Sequence, residues 1–112
     1  MFINLHARQS IPVDITWVDA PEFQYSIAGS DYEIKCDVQA NPSPNVDWVR
    51  GDKKIELSDK YIIRNKGLLI KNVQESDDGV YTCRAVVLST GHFEVKNIKV
   101  SRDRETVQFC RL

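Results

Sequence analysis

The chain has 112 residues, 42% of them hydrophobic, and its 15 basic and 16 acidic residues leave a formal net charge of -1. This length fits one domain and not two, and the ordinary apolar content excludes a wholly disordered or fibrous chain. The balanced charge provides no overall field to attract nucleic acid, so we expect no nucleic-acid partner.

The first part of the chain alternates apolar and polar residues, the period of a half-buried β-strand. One such segment is residues 12–18, and a second contains Phe23, Tyr25 and Ile27, which we expect on its buried face. Residues 31–40 alternate almost without interruption, which predicts an antiparallel strand with one face toward water.

Turns separate the strands that follow. Proline residues in Asn41–Pro44 predict a turn, two short strands flank the polar pair Ser58-Asp59, and another strand opens at Gly67. The apolar positions of these strands are Val46, Trp48, Ile55, Leu57, Tyr61, Ile63, Leu68, Ile70 and Val73.

The last strands give the same pattern with one irregularity. From Gly79, one face carries Tyr81, Cys83, Ala85 and Val87. Farther along, Phe93 and Val95 have odd parity whereas Ile98 and Val100 have even parity, so we expect a bulge near residues 96–97. About eight short strands with turns at intervals of roughly 8 to 12 residues predict an all-β sandwich or barrel.

Three residues lie at a distinctive spacing. Cys36 and Cys83 fall on apolar strand faces 47 positions apart, and Trp48 follows the first of them by 12 positions. The second half of the pattern is Leu68-x-Ile70-x-x-Val73-x-x-x-Asp77-x-Gly79-x-Tyr81-x-Cys83. In combination these motifs resemble the immunoglobulin superfamily over about residues 18–101.

The resemblance implies an immunoglobulin-like β-sandwich of two antiparallel sheets, joined by a Cys36–Cys83 disulfide that Trp48 covers. The alternative is two free buried thiols. It also implies a tyrosine corner at Tyr81 and an ion pair of Asp77 with a basic residue, for which Lys60 and Arg64 are the candidates. Leu68 and Gly79 complete the core signature that the resemblance implies.

The intermediate (I-set) type is the nearest match. Its marks are the segment Asn41–Trp48 and the short stretch between Trp48 and Leu68, which leaves no room for the extra strands of an antibody variable domain. The chain is most similar to the second immunoglobulin domain of the fasciclin II and neural cell adhesion molecule family. The segments that carry this likeness are Ile15–Pro21, Gly67–Ile70, Asn72–Asp77, Tyr81–Ala85 and Lys96–Val100.

The domain boundaries follow from this match. We expect an I-set domain at residues 13–101, preceded at 1–12 by a remnant of another domain or foreign sequence, and followed by a tail at 102–112. The first ten residues lack the apolar stretch of a signal peptide, although the cysteines fit a secreted domain. We therefore expect a piece of a longer, membrane-anchored ectodomain at the cell surface, linked to the membrane only through that parent.

The family implies adhesion on neurons, in which the domain pairs with an identical or related ectodomain on an opposing cell. Two other functions stay open. One is a structural spacer that sets the angle between neighbouring domains. The other is a binding site for heparan sulfate or an integrin.

Heparan sulfate is suggested by a local excess of basic residues within positions 50–66. Its members are Arg50, Lys53, Lys54, Lys60, Arg64 and Lys66. Heparin binding is also what the family resemblance implies for Lys53, Lys54 and Lys60. The acidic residues Asp52, Glu56 and Asp59 interrupt the cluster, and mixed charge on an edge strand also serves to prevent aggregation.

An integrin ligand is suggested by Arg50, Gly51 and Asp52 at a predicted hairpin tip, since the carboxylate could bind a partner's divalent cation. The same triplet also arises for conformational reasons in such turns.

Catalysis finds no candidate grouping. The two histidines are His6 and His92, and the third cysteine, Cys110, lacks the neighbours that a nucleophile pair or zinc site needs. We expect no enzyme activity, metal or cofactor, and we interpret Cys110 as a free thiol, an intermolecular bridge or a residue whose partner is missing.

Overall fold

The computed structural model describes residues 14–102, in which ten short β-strands form two packed layers. The strands are β1 (Thr16–Asp19), β2 (Phe23–Ser26), β3 (Tyr32–Lys35), β4 (Asp37–Gln39), β5 (Asn45–Arg50), β6 (Lys53–Lys54), β7 (Tyr61–Arg64), β8 (Gly67–Ile70), β9 (Gly79–Val87) and β10 (His92–Arg102). A single 3₁₀ turn, Glu75–Asp77, precedes β9.

The first layer contains β1, β3, β4, β7 and β8. β1 pairs with β4, and β8 pairs with both β3 and β7, all antiparallel. Only Cys36 separates β3 from β4, so the two ladders belong to one layer in the order β1, β4 with β3, β8, β7.

The second layer is a five-stranded sheet in the order β2, β10, β9, β5, β6. Its pairings are antiparallel except that β2 runs parallel to β10, because the chain crosses from the first layer to the second between β1 and β2. The all-β immunoglobulin-like sandwich predicted from the sequence is confirmed, with ten strands in place of about eight.

The core lies between the layers and contains the predicted disulfide. Cys36 and Cys83 are bonded, with their Cα atoms 6.7 Å apart, so the alternative of two free thiols is excluded. Trp48 is fully buried and lies directly across the β5–β9 ladder from Cys83. The remaining buried members of this cluster are Ile34, Ile55, Leu68, Ile70, Val73, Tyr81, Ile98 and Val100.

A polar network closes one end of the core. The buried Tyr81 hydroxyl donates to the Asp77 carbonyl oxygen at 2.7 Å, the tyrosine-corner bond that the resemblance implies. Lys60 Nζ lies 2.7 Å from Asp77 Oδ2, and the same oxygen accepts the Gln74 N–H at 2.8 Å. Gly79 has a φ of 149°, a conformation that favours glycine, which explains its place in the signature.

β2 lies in the opposite phase from the one predicted. Its buried side chains are Gln24 and Ser26, whereas Phe23, Tyr25 and Ile27 are exposed. The Gln24 carboxamide accepts from the Lys35 N–H, donates to the Lys35 carbonyl and accepts from the Tyr32 hydroxyl, all within 2.9 Å. A side-chain amide whose polar atoms are all hydrogen-bonded costs little free energy to bury. Gln24 can therefore occupy the inside position that an apolar residue was expected to fill.

β10 contains no bulge at residues 96–97, and that prediction is wrong. The strand pairs continuously with β9 from His92 to Val100. The change of parity arises because Phe93 and Val95 point to the outer face of the sheet, whereas Ile98 and Val100 point into the core.

The strand predicted around Ile55 and Leu57 is also wrong. The hairpin partner of β5 is β6, which ends at Lys54. Ile55 is buried and still donates its N–H to the Trp48 carbonyl oxygen at 2.8 Å, whereas Leu57 lies beyond the end of the ladder and is exposed.

Candidate functional site

The arginine–glycine–aspartate triplet lies at the hairpin between β5 and β6, as predicted, but its arginine points inward. Arg50 Nη2 donates to the carbonyl oxygens of Ser76 at 2.6 Å and Asp78 at 3.0 Å. The Arg50 guanidinium also lies 4.9 Å from the centroid of the Tyr81 ring. The guanidinium is therefore bonded to the turn before β9, and only Asp52 is presented freely at the tip. Integrin binding stays a prediction.

The basic cluster divides into residues that support the fold and residues that face solvent. Arg50 and Lys60 support the fold, since Lys60 pairs with Asp77 and also donates to the carbonyl oxygens of Lys71 and Asn72. The exposed members are Lys53, Lys54, Arg64 and Lys66.

A shallow groove between the two layers brings some of these exposed cations together. Lys54 of β6 and Arg64 of β7 line this groove, which also contains Ile63 and has a volume of about 560 Å³. Lys66 lies in the turn after Arg64, and its Nζ is 4.0 Å from Asp37 Oδ2. Asp47 also lines the groove, which therefore presents a carboxylate beside the two cations, and heparan sulfate binding stays a prediction.

The outer face of the five-stranded sheet has a charged pair at its centre. Arg84 of β9 donates through Nε and Nη2 to the two carboxylate oxygens of Asp47 on β5, both at 2.7 Å. These bonds and the guanidinium charge hold the pKa of Asp47 below its usual range. Beside this pair, the Thr82 hydroxyl donates to the Asn97 side chain at 2.8 Å.

Apolar side chains lie on the same outer face in two separate groups, Phe93 with Val95 near the start of β10 and Phe23 with Tyr25 on β2 beside its end, and neither group was predicted as a surface. Phe23 and Tyr25 are 63% and 62% exposed, and Phe93 and Val95 are 61% and 47% exposed. The sequence of β10 already indicated this exposure, because its apolar residues occupy both odd and even positions. A strand without a bulge must then expose one of the two sets to solvent. Exposed large apolar side chains that share a sheet face indicate a contact surface.

The remaining predicted groups add no chemistry. His92 Nε2 lies 4.0 Å from Glu94 Oε2, and no three metal-ligating side chains meet anywhere in residues 14–102. Over the same residues no helix has the length and apolar character to span a membrane. The predictions for His6, Cys110 and both terminal segments lie outside the described residues.

The fold and surfaces therefore define a disulfide-bonded immunoglobulin sandwich. Its candidate binding features are the outer face of the five-stranded sheet, the groove and the β5–β6 hairpin. The immunoglobulin I-set domain family matches residues 13–101. The chain belongs to the immunoglobulin I-set family.

The relatives that it matches are much longer than this chain. The chain is similar to Fasciclin-2 of Schistocerca americana, with 44% identity over 97 residues that cover 87% of this chain and 11% of the relative. It is similar to netrin receptor DCC of Homo sapiens, with 38% identity over 69 residues, 60% of this chain and 5% of the receptor. The chain thus spans only a small part of either protein.

The architecture is also similar to that of a solved insect structure. The immune protein hemolin, described with implications for homophilic adhesion, matches with a TM-score of 0.67 and 28% identity. The match covers 80% of this chain and 22% of hemolin.

Proposed function

We propose that this domain is a cell-adhesion module of a neural cell-surface receptor, and that it binds an identical domain of an opposing ectodomain. The observation that carries this proposal is the set of exposed apolar side chains on the outer face of the five-stranded sheet, Phe93 and Val95 on β10 and Phe23 and Tyr25 on β2. The similarity to Fasciclin-2 and to hemolin supports adhesion as the use of that surface.

Association would remove these apolar side chains from water, which is the main favourable term in most protein–protein contacts. Each of the two groups has only two large side chains, far fewer than the 20 to 30 residues that a stable standard interface uses on each side. A single contact is therefore weak, and adhesion would arise from many copies acting together on two cell surfaces.

The disulfide supports an extracellular location. Structural disulfides persist in oxidising compartments and are rare in the cytosol, and here the bond lies at the centre of the core. The exposed apolar side chains of residues 14–102 favour binding as the activity of this domain.

Sedimentation equilibrium of the full chain over a wide concentration range tests homophilic pairing. We expect a reversible dimer, both in the wild type and in a Cys110→Ser variant that excludes an intermolecular disulfide. A dimer that disappears in Cys110→Ser would instead be a product of that thiol. A monomer at every concentration would refute homophilic pairing by this domain.

Heparan sulfate is the second candidate, favoured by the groove that Lys54 and Arg64 share. We expect Lys53→Glu with Lys54→Glu to elute from heparin at much lower salt than the wild type. Two exposed cations that attract sulfate groups become two anions that repel them, so less salt is needed to screen the remaining attraction. Lys35→Glu with Lys99→Glu, two exposed reversals outside the groove, is the matched control because it changes the net charge by the same amount. Equal elution of the two variants would refute heparan sulfate binding through this groove. A chain that neither dimerises nor binds heparin would be consistent with a structural spacer.

A further inference from the structure

β10 has a free edge that the rest of the sandwich does not cover. On one side β10 pairs with β9 over His92–Val100, but on its other side β2 pairs only with Lys99–Arg102. Along 92–98, no strand within the described part of the chain joins that second side. The cause is the path of β1, which pairs with β4 in the opposite layer before the chain crosses to β2.

The backbone groups at this edge are oriented for a further strand. The N–H of Lys99 donates to the Glu22 carbonyl at 2.7 Å, so Lys99 directs its backbone groups away from β9. Because these groups alternate sides along a strand, Phe93, Val95 and Asn97 direct theirs the same way. Each therefore presents a donor and an acceptor at the free edge.

The free edge lacks two of the devices that usually prevent pairing. Of the devices that protect natural edge strands, residues 92–98 have the inward-side charges Glu94 and Lys96 but no proline and no bulge, and they pair regularly with β9. The two residues of this edge that are charged at neutral pH, Glu94 and Lys96, have opposite signs and stand on either side of Val95.

We infer that a second copy of this domain occupies the free edge, through an antiparallel pairing of the two β10 strands about a two-fold axis at Val95. In this register Glu94 lies opposite the partner's Lys96, and Lys96 lies opposite the partner's Glu94. The three outward residues of each copy would form about six backbone hydrogen bonds across the axis.

The charges and the geometry select the same register independently. Moving the axis by one residue places Glu94 opposite Glu94 or Lys96 opposite Lys96, and like charges opposite each other destabilise a sheet. Val95 is also the midpoint of the free stretch 92–98, so only an axis there pairs its full length before the partner strand meets β2.

The side chains on both faces suit this arrangement. On the outer face, Val95 would contact the partner's Val95, and Phe93 would cover the partner's Asn97, so two exposed apolar residues lose contact with water. On the other face, Glu94 accepts the Trp17 indole N–H at 3.0 Å through Oε1, its Oε2 lies 4.0 Å from His92 Nε2, and its side chain is 43% exposed.

This inference rests on the proposed homophilic function, and charge reversal of the full chain tests it. Each single variant, Glu94→Lys or Lys96→Glu, replaces two attractive cross-strand pairs by two repulsive ones, so we expect the dimer dissociation constant to rise about ten- to hundredfold. The double variant with both changes restores opposite charges and should restore the wild-type value. Lys35→Glu, an exposed charge reversal on β3 of the other layer, is the matched control.

A backbone variant tests the same edge without charge. Val95→Pro removes the central N–H, which points away from β9, so the β9 ladder keeps its bonds while the dimer should be lost. Circular dichroism and the melting temperature establish that each variant is folded, with all sedimentation done in the Cys110→Ser background.

The outcomes separate this inference from the proposed function. A wild-type dimer that neither single reversal weakens, or that the double variant does not restore, overturns pairing through β10 and leaves homophilic binding in place. A wild type that is monomeric at every concentration overturns both.

Discussion

Tyr81→Phe tests whether the buried corner hydroxyl stabilises the fold. The change removes only the oxygen atom that donates to the Asp77 carbonyl at 2.7 Å, and the ring keeps its place in the core. Leaving a buried carbonyl without this donor costs about 1–3 kcal/mol of the free energy of unfolding. In urea unfolding followed by tryptophan fluorescence, the midpoint should fall by about 1 M at unchanged slope.

Tyr25→Phe is the matched control, because Tyr25 is 62% exposed and its hydroxyl can bond water in either state. Its effect should stay within about 0.5 kcal/mol. Equal losses in the two variants would refute the reasoning, since the buried bond would then contribute nothing beyond a surface hydroxyl.

The same bond predicts a pH dependence. Burial raises the pKa of the Tyr81 hydroxyl well above its usual value. A group whose pKa is higher in the folded state stabilises fully below its unfolded pKa of about 10 and loses that contribution as the pH rises further. The difference between wild type and Tyr81→Phe should therefore shrink above about pH 10. A constant difference up to pH 11 would contradict this account.

Three further outcomes follow from the structure. Replacing Cys36 and Cys83 by alanine opens a loop of 47 residues and should cost about 4 kcal/mol, measured by thermal unfolding, and an unchanged melting temperature would contradict it. Gly67→Ala places a methyl group against a backbone carbonyl of β3 and should cost about 1–3 kcal/mol in urea unfolding, whereas a neutral result would show that the ladder adjusts. Asp47→Asn removes the ion pair with Arg84 and should lower the free energy of unfolding by about 1 kcal/mol at pH 7, a modest loss because the pair is partly exposed. Near pH 2 the loss should be almost nothing. The sign follows from the lowered Asp47 pKa, since that stability exists above about pH 4 and disappears as the carboxylate protonates, so a loss that is independent of pH would refute it.

The sandwich could be predicted because its determinants are local in sequence. A period of two defines strands, and the spacing of Cys36, Trp48 and Cys83 fixes which strands face each other across the core. The inward direction of Arg50 was also accessible, since Arg50 has the parity of Trp48 on the same strand and must turn toward the core side.

The exposed face of β2 and the free edge of β10 could not be predicted, because they depend on tertiary partners. Alternation gives the period of β2 but not its phase, and Gln24 lies inside only because Lys35 and Tyr32 bond its carboxamide. The free edge of β10 likewise depends on where the chain crosses from one layer to the other. No sequence pattern at residues 92–98 indicates where that crossing occurs.

The parallel pairing of β2 with β10 has a mechanical consequence. β1 begins beside Gln39 at one end of the sandwich, and β10 ends at Arg102 beside Asp78 at the other. A pull on these two ends would slide β2 along β10, which loads their hydrogen bonds in shear and all at once, and it would slide β1 along β4 in the same way. Because bonds loaded together break together, forced unfolding of this domain should be slow, and the sandwich could transmit tension along the chain without opening strand by strand.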